Sequence, residues 1–393
     1  MAALIIFNPK KAHKSMSNIN INLQRIAYLL VILAISTYVI IIGKSLLVPV
    51  AFSALFSFLL LPICRRIEKW IPYRPAAIFL SMFIALLPIL FAIGLFSYQL
   101  TTVLQDMPSI TGQLKAGVSH LFNLAERHLS LDSSSLEEWM RTNLTTILDT
   151  PLQLLGDSLT SSTAILAGLL LTLLFTFFAL LYRTAFKNFA LTQFPRSVRE
   201  EAGNIMGQVQ HVAQEYLYGL MLVILILGVL NSLGLWAIGI NYAPFWGFLA
   251  AFLAIIPYIG TTLGGFFPFI YAIATTGTFW QPAAVVLLYA SVQVMEGNLI
   301  TPKIVGSSVS INPMAAIFSL FAGGLIWGIS GLILALPIIA IIKVVMDHIT
   351  VLQPFSELLG SGLSRKSDIF FEKYDKEEYR FINYFSERRR RNL

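Results

Sequence analysis

The sequence predicts an all-α, polytopic integral membrane protein with about eight hydrophobic segments, two of them broken or folded into re-entrant hairpins. Three observations carry this. Hydrophobic residues make up 56% of the 393-residue chain and charged residues 12%, about half the charged share of a soluble domain. Several runs approach or exceed the roughly 20 apolar residues that cross a hydrocarbon layer. The basic excess behind the net charge of +7 flanks those runs instead of forming a separate basic face, so nucleic acid is not an expected partner.

In chain order, 1–100 reads as an N-terminal cytoplasmic arm and three spans. Segments 26–43 and 46–61 form a hairpin around Gly43-Lys44-Ser45, and 76–100 is the third span. No apolar stretch precedes the first span, so no cleavable signal is expected. Short loops rich in Lys and Arg stay cytoplasmic. Lys10, Lys11, Lys14 and Arg25 therefore place the N-terminus inside, and Arg65, Arg66, Lys69 and Arg74 place the second loop inside, as parity requires.

Residues 101–163 then fall outside, and acids outnumber bases there. Apolar residues recur at Leu104, Met107, Ile110, Leu114, Val118 and Leu121, which is helical spacing. Ser135 and Glu138 have the spacing of a capping box that starts a second helix. The expectation is an extracytoplasmic amphipathic helical segment. Residues 164–215 hold a fourth span, 166–182, and a polar cytoplasmic connector with Arg183, Lys187, Arg196 and Arg199.

The stretch 216–345 is the candidate transport core. Its only formally charged residues are Glu296, Lys303 and Lys343. A fifth span, 216–238, is followed by two apolar arms around 257–265, and the same pattern recurs as 314–327, the tip 328–331, and 332–345. Arms of 11 or 12 residues reach only about 18 Å. Gly and Pro tips between such arms fit re-entrant hairpins, because irregular backbone survives at membrane depth only beside protein or a cavity. With the lead helices 216–238 and 283–296, the hairpins make two inverted helix-plus-hairpin units, the pattern that points to a transporter's binding site. The rival reading makes each stretch one broken span. Residues 346–393 form a charged cytoplasmic tail.

The motifs IPYIGTTLGGFFP (256–268), VMEGNLITPKIVG (294–306) and INPMAAIFSLFAGGLIWGISGLILALP (311–337) resemble the autoinducer-2 exporter family of bacterial membrane transporters. The resemblance is specific over 205–350. It implies a homo-oligomeric inner-membrane secondary transporter, a pentamer being one arrangement, that exports a small polar solute such as an autoinducer-2-like quorum-sensing signal. Sodium–proton antiport and a channel-like pore are the alternatives within the family, with coupling to H⁺ or Na⁺. A membrane scaffold without transport activity is the alternative of another class.

Glu296 is the leading transport residue, because an ionised acid inside a bilayer must face a cavity, pair or be neutralised. Its bland alternative is a helix-end carboxylate held by the backbone of an unwound Gly297–Pro302 segment. Asn298 and Gln293 offer neutral hydrogen bonding to a polar solute, against ordinary interhelical bonding. Tyr258 could stack on a solute at the first tip, against simple packing. Pro257, Gly260, Gly264, Pro302, Gly306, Pro313, Gly328 and Gly331 shape the backbone, since Pro removes a donor and Gly admits unusual dihedrals. No nucleophile–base set, phosphate loop, metal cluster or cofactor motif is visible, so neither an enzyme nor a cofactor is expected.

Overall fold

Long apolar runs without strand-type alternation fold as helices throughout the residues described by the structure, a computed structural model: 23–129, 162–256, 259–276, 278–304, 311–362 and 368–380. In chain order these are α1 (Leu23–Ile42), α2 (Lys44–Ile67), α3 (Arg74–Leu129), α4 (Ser162–Leu181), α5 (Arg183–Thr192), α6 (Arg199–Ile238) and α7 (Ala243–Leu253). Then follow α8 (Ile259–Thr276), α9 (Trp280–Met295), α10 (Thr301–Ile304), α11 (Pro313–Trp327), α12 (Ile329–Asp347), α13 (Gln353–Leu359) and α14 (Ile369–Glu372). Among the described residues six helices are long and apolar enough to cross a membrane, or seven if the pair α4–α5, bent by 68°, counts as one span. The chain is a multi-pass helical membrane protein.

Three boundaries differ from the sequence reading. Helix α3 does not stop near residue 100 but runs unbroken for 56 residues, so the start of the expected extracytoplasmic segment continues the third span. The helix expected at 136–155 lies outside the described residues. The polar connector 183–215 is helical throughout most of its length, as α5 and the start of α6, a 40-residue helix about 60 Å long. The described turn after α7 lies at 254–256, ahead of the expected tip at 257–265, and Gly260 and Gly264 lie inside α8.

The described chain divides into two compact units. One contains the described residues of 48–309 with 332–334, and so holds α6, the α7–α8 pair and α9. The other contains those of 1–47, 310–331 and 335–393, and so holds α1, α11 and most of α12.

Within the first unit, small residues let helices approach closely, the usual basis of association where lipid tails are as apolar as leucine. A Cβ at Gly264 would sit 2.7 Å from Ala250 Cα, and one at Gly228 2.6 Å from the Phe248 ring. Gly260 lies against the Leu253 backbone and Gly247 against Ser232. An apolar core joins Val103 of α3, Leu235 of α6, Phe245 and Trp246 of α7, Tyr271 of α8 and Val285 of α9. Phe96 stacks on Phe245 with ring centroids 4.6 Å apart. A second cluster packs Leu60 and Cys64 of α2 against Ile78 of α3 and Leu180 of α4.

In the other unit, Asn312 caps α11. Its Oδ1 accepts from Ala315 N at 2.7 Å and its Nδ2 donates to Leu358 O at 2.6 Å. Pro313 occupies the first turn of α11, where its missing N–H costs nothing. Gly328, with φ 63 and ψ −137, turns the chain between α11 and α12 in a conformation open essentially to glycine alone. Beyond the turn Gly323 and Gly331 meet backbone to backbone, leaving no room for a side chain on either. Trp327 Nε1 donates to Ile40 O at 3.0 Å, tying α11 to α1.

Candidate functional site

Helix α9 reaches Met295 as a regular helix and then widens into a π-turn over Glu296–Ile300 before closing as α10. The cause is in the sequence. Pro302 has no N–H to give to the carbonyl four residues back, and its ring would strike that carbonyl in a regular α-helix. The wider turn relieves the clash, and Thr301 N–H bonds to Glu296 O instead. The segment expected to unwind is therefore a continuous helix with one enlarged turn. Such turns recur at functional sites.

That turn decides where the polar groups go. Residues five apart on an α-helix point roughly 140° away from each other, but a π-turn brings them round to one face. Thr301 Oγ1 thus reaches Glu296 Oε1 at 3.4 Å, while Gln293 Nε2 donates to Glu296 Oε2 at 3.0 Å. Each carboxylate oxygen has one neutral donor, and neither donor carries charge. Asn298 does not join this group: exposed, it donates from Nδ2 to Val294 O at 2.9 Å, within its own helix. Pro302 and Lys303 are exposed as well.

Glu296 and Gln293 line a cavity of about 20 Å³ with two residues that sequence reasoning missed, Asn231 of α6 and Tyr289 of α9. The rest of the wall is apolar and includes Leu227 and Ala250. Asn231 is 4% exposed. Its Oδ1 and the Tyr289 hydroxyl are both buried without a hydrogen-bond partner. Buried polar atoms in native proteins are nearly always paired, to protein or to ordered water, so two unpaired atoms on one small wall leave a place where a bound water or ligand could pair them. The faint signal in the sequence was that Asn231 and Ser232 interrupt an otherwise apolar span, but nothing in the spacing says that α6 and α9 converge there.

Of the remaining candidates, Gly260 and Gly264 lie in the tight α7–α8 packing, Pro313 opens α11, Gly328 turns the chain between α11 and α12, and Gly331 inside α12 packs against Gly323. Tyr258, Pro257 and Gly306 lie outside the described residues.

The described site is thus one carboxylate beside a small, mostly apolar cavity between membrane helices. Comparison with known proteins gives the lineage. The profile described as AI-2E family transporter matches residues 30–351. The chain belongs to that family. This AI-2E family member is 27% identical to YueF of Bacillus subtilis (strain 168), whose name assigns it to transport, over 81% of this chain and 90% of YueF. It is 26% identical to PerM of Escherichia coli (strain K12), named as a permease, over 81% of this chain and 91% of PerM. With TqsA of the same strain, named an AI-2 transport protein, identity is 22% over 87% of this chain and 97% of TqsA. The match to YrrI of Bacillus subtilis (strain 168) is higher, 35%, but spans 39% of this chain and 43% of that protein. The AI-2E relatives support membrane transport as the general activity.

Proposed function

We propose that this AI-2E family protein is a secondary carrier of the bacterial inner membrane that exports a small polar solute, with an autoinducer-2-like signal as the first class to test. The observation that carries the reading is Glu296, a carboxylate in an apolar span, held by Gln293 and Thr301 at the edge of a small, partly open cavity with a mostly apolar wall. The printed name of TqsA motivates the solute class. The short α7, 11 residues long and about 16 Å end to end, packs on α8 as the first arm of a re-entrant hairpin. Both termini are cytoplasmic in this reading, and the working form is a homo-oligomer.

One observation favours ion coupling, and with it the antiport alternative. A cavity of about 20 Å³ takes one water, far less than a sugar-sized solute, so the Glu296 wall suits a coupling ion better than the exported molecule.

The test is transport by the full protein in proteoliposomes under imposed proton or sodium gradients, against a panel of polar solutes. Saturable, gradient-dependent flux is expected, falling at least about tenfold in Glu296→Gln with membrane insertion unchanged. Non-saturating flux would make the protein a pore. Full transport by Glu296→Gln with wild-type pH dependence would remove the carboxylate from the mechanism.

A further inference from the structure

The walls of the cavity hold more chemistry than Glu296. Four polar side chains converge from two helices, Asn231 from α6 and Tyr289, Gln293 and Glu296 from α9 and its π-turn. The unpartnered atoms are oxygens: Asn231 Oδ1, an acceptor only, and the Tyr289 hydroxyl. Gln293 and Thr301 point their donors at Glu296 and so are already spent. The result is a small group of oxygens, one an acceptor and one a hydroxyl, with no protein hydrogen bond made to either.

The charge count is equally lopsided. Glu296 and Tyr289 are the titratable groups on the wall. Helices α6 and α7 contribute Leu227, Asn231, Ala250 and nearby apolar atoms, and among the described residues no Lys, Arg or His lines it. An ionised Glu296 would leave one uncompensated negative charge in low-dielectric surroundings, which is strongly unfavourable. A single positive charge would balance it. The donor set also argues against a divalent ion, since calcium takes six to eight oxygens and magnesium a near-ideal octahedron, more than this wall offers.

We infer that the cavity is a single-occupancy site for one small monovalent cation, with Asn231 Oδ1, the Tyr289 hydroxyl and the Glu296 carboxylate as its oxygen ligands. The occupant is either an alkali ion of sodium size or a proton carried by Glu296, with one water hydrogen-bonded to Asn231 and Tyr289 beside it. The volume, about 20 Å³, is the room of one such particle. The inference deepens the coupling role proposed for Glu296 and rests on that reading. Asn231 and Tyr289 are the new assignments, both binding groups in their own right.

The orphaned oxygens give the test its leverage. Deleting a buried polar atom that has no protein partner costs the fold nothing and can even stabilise it. A ligand that binds only the folded state raises the unfolding temperature with its concentration. Thermal unfolding of the full protein in lipid nanodiscs is followed while sodium chloride replaces choline chloride at constant ionic strength, at pH 6 and at pH 8. The variants are Tyr289→Phe, Asn231→Leu and Glu296→Gln. Wild type is expected to respond either to sodium at pH 8 or, in choline alone, to the change of pH. The first outcome assigns an alkali ion and the second a proton. Tyr289→Phe is expected to unfold at the wild-type temperature or above when no sodium is present at pH 8. Its half-saturating sodium concentration should be at least about fivefold higher, or its pH response shifted. Glu296→Gln should lose the sodium response, and any pH response it keeps should be the same in Tyr289→Phe/Glu296→Gln.

If Asn231→Leu fails to fold, Tyr289→Phe decides alone. No response to sodium or pH in wild type overturns the site, and so does a response that Tyr289→Phe leaves unchanged. Liposome flux separates this from the carrier reading. A Glu296-sensitive flux without any Tyr289-sensitive binding removes the cation site and keeps the carrier. Tyr289-sensitive binding without flux does the reverse.

Discussion

Gln214 Nε2 donates to the main-chain oxygen of Phe58 at 2.6 Å, and Phe58 lies four residues before Pro62, inside α2. In an unbroken helix the residue at 62 would give its N–H to that oxygen; proline has none. Helix α6 thus supplies from a side chain the hydrogen bond that the proline removed. Tyr218, one turn further along α6, donates to the next carbonyl, Leu59 O, at 2.9 Å. In a bilayer a freed carbonyl needs such a partner, because no water is at hand to replace it.

A thermodynamic cycle follows from this pairing. Gln214→Leu should cost about 1–3 kcal/mol by leaving the Phe58 oxygen unpaired. In a Pro62→Ala background the helix regains its own donor, so the same change should cost almost nothing. Unfolding of the four proteins in nanodiscs measures the coupling. Equal costs in both backgrounds would mean that the side-chain bond does not compensate for the proline.

A second cross-chain tie predicts an acid sensitivity. Arg183 begins α5, just past the 68° bend from α4, and its Nη2 meets Glu68 Oε2 at 2.5 Å. Burial acts to raise the Glu68 pKa, but hydrogen bonding and charge from Arg183 outweigh it and hold the carboxyl below its ordinary range. A carboxylate depressed in the folded state stabilises fully above its unfolded value, about 4.3. That contribution is lost as pH falls through the lower folded value. Glu68→Gln should therefore destabilise by about 1–3 kcal/mol at pH 7, and the gap from wild type should close on acidification below about pH 4. Unfolding midpoints of both proteins between pH 7 and pH 3 check this. A gap that stays constant with pH would show that the ion pair does not contribute.

Tight packing at Gly264 makes the third expectation. A Cβ there would lie 2.7 Å from both Ala250 Cα and Cβ, so Gly264→Ala must push α8 off α7 at about 1–3 kcal/mol. Gly94 of α3 has open space around it, and Gly94→Ala should be neutral or stabilising by up to about 1 kcal/mol. Comparing the two unfolding temperatures tests whether the close approach, rather than glycine as such, carries the stability.

These relationships mark where the sequence was legible. Apolar runs, flanking bases and Gly–Pro punctuation located the helices, the family motifs and the charge-poor core. Glu296 could be singled out because charge is so rare around it. Helical spacing past Leu104 was legible, but not that it continues the third span without a break, because the change to polar composition after residue 100 reads as the end of a span. The bend before α8 was misplaced, since glycines that serve helix contact, such as Gly264, read like a loop. Asn231 and Tyr289 were missed for a different reason. They lie about 60 residues apart in the chain, and their meeting is a product of α6 packing on α9, which no local pattern encodes. Likewise, Pro302 signalled a disturbed helix, but only the fold showed that an enlarged turn absorbs it.

That enlarged turn gives the last prediction. Pro302→Ala restores an N–H and removes the ring, so a regular helix becomes accessible through 296–302. Closing the turn would swing Thr301 away from Glu296, breaking the 3.4 Å contact, and would leave Gln293 as the one neutral donor to the carboxylate. The substitution should raise thermal stability or leave it unchanged, because alanine favours helix far more than proline does. Flux should nevertheless fall by about an order of magnitude if the geometry of the turn presents Glu296 to the cavity. Asn298→Ala separates shape from stability. It deletes the 2.9 Å bond to Val294 O and should cost about 1 kcal/mol, with a smaller effect on flux than Pro302→Ala. Gradient-driven uptake and unfolding, measured on the same reconstituted samples, distinguish the two. Wild-type flux in a more stable Pro302→Ala protein would mean that the π-turn merely accommodates the proline.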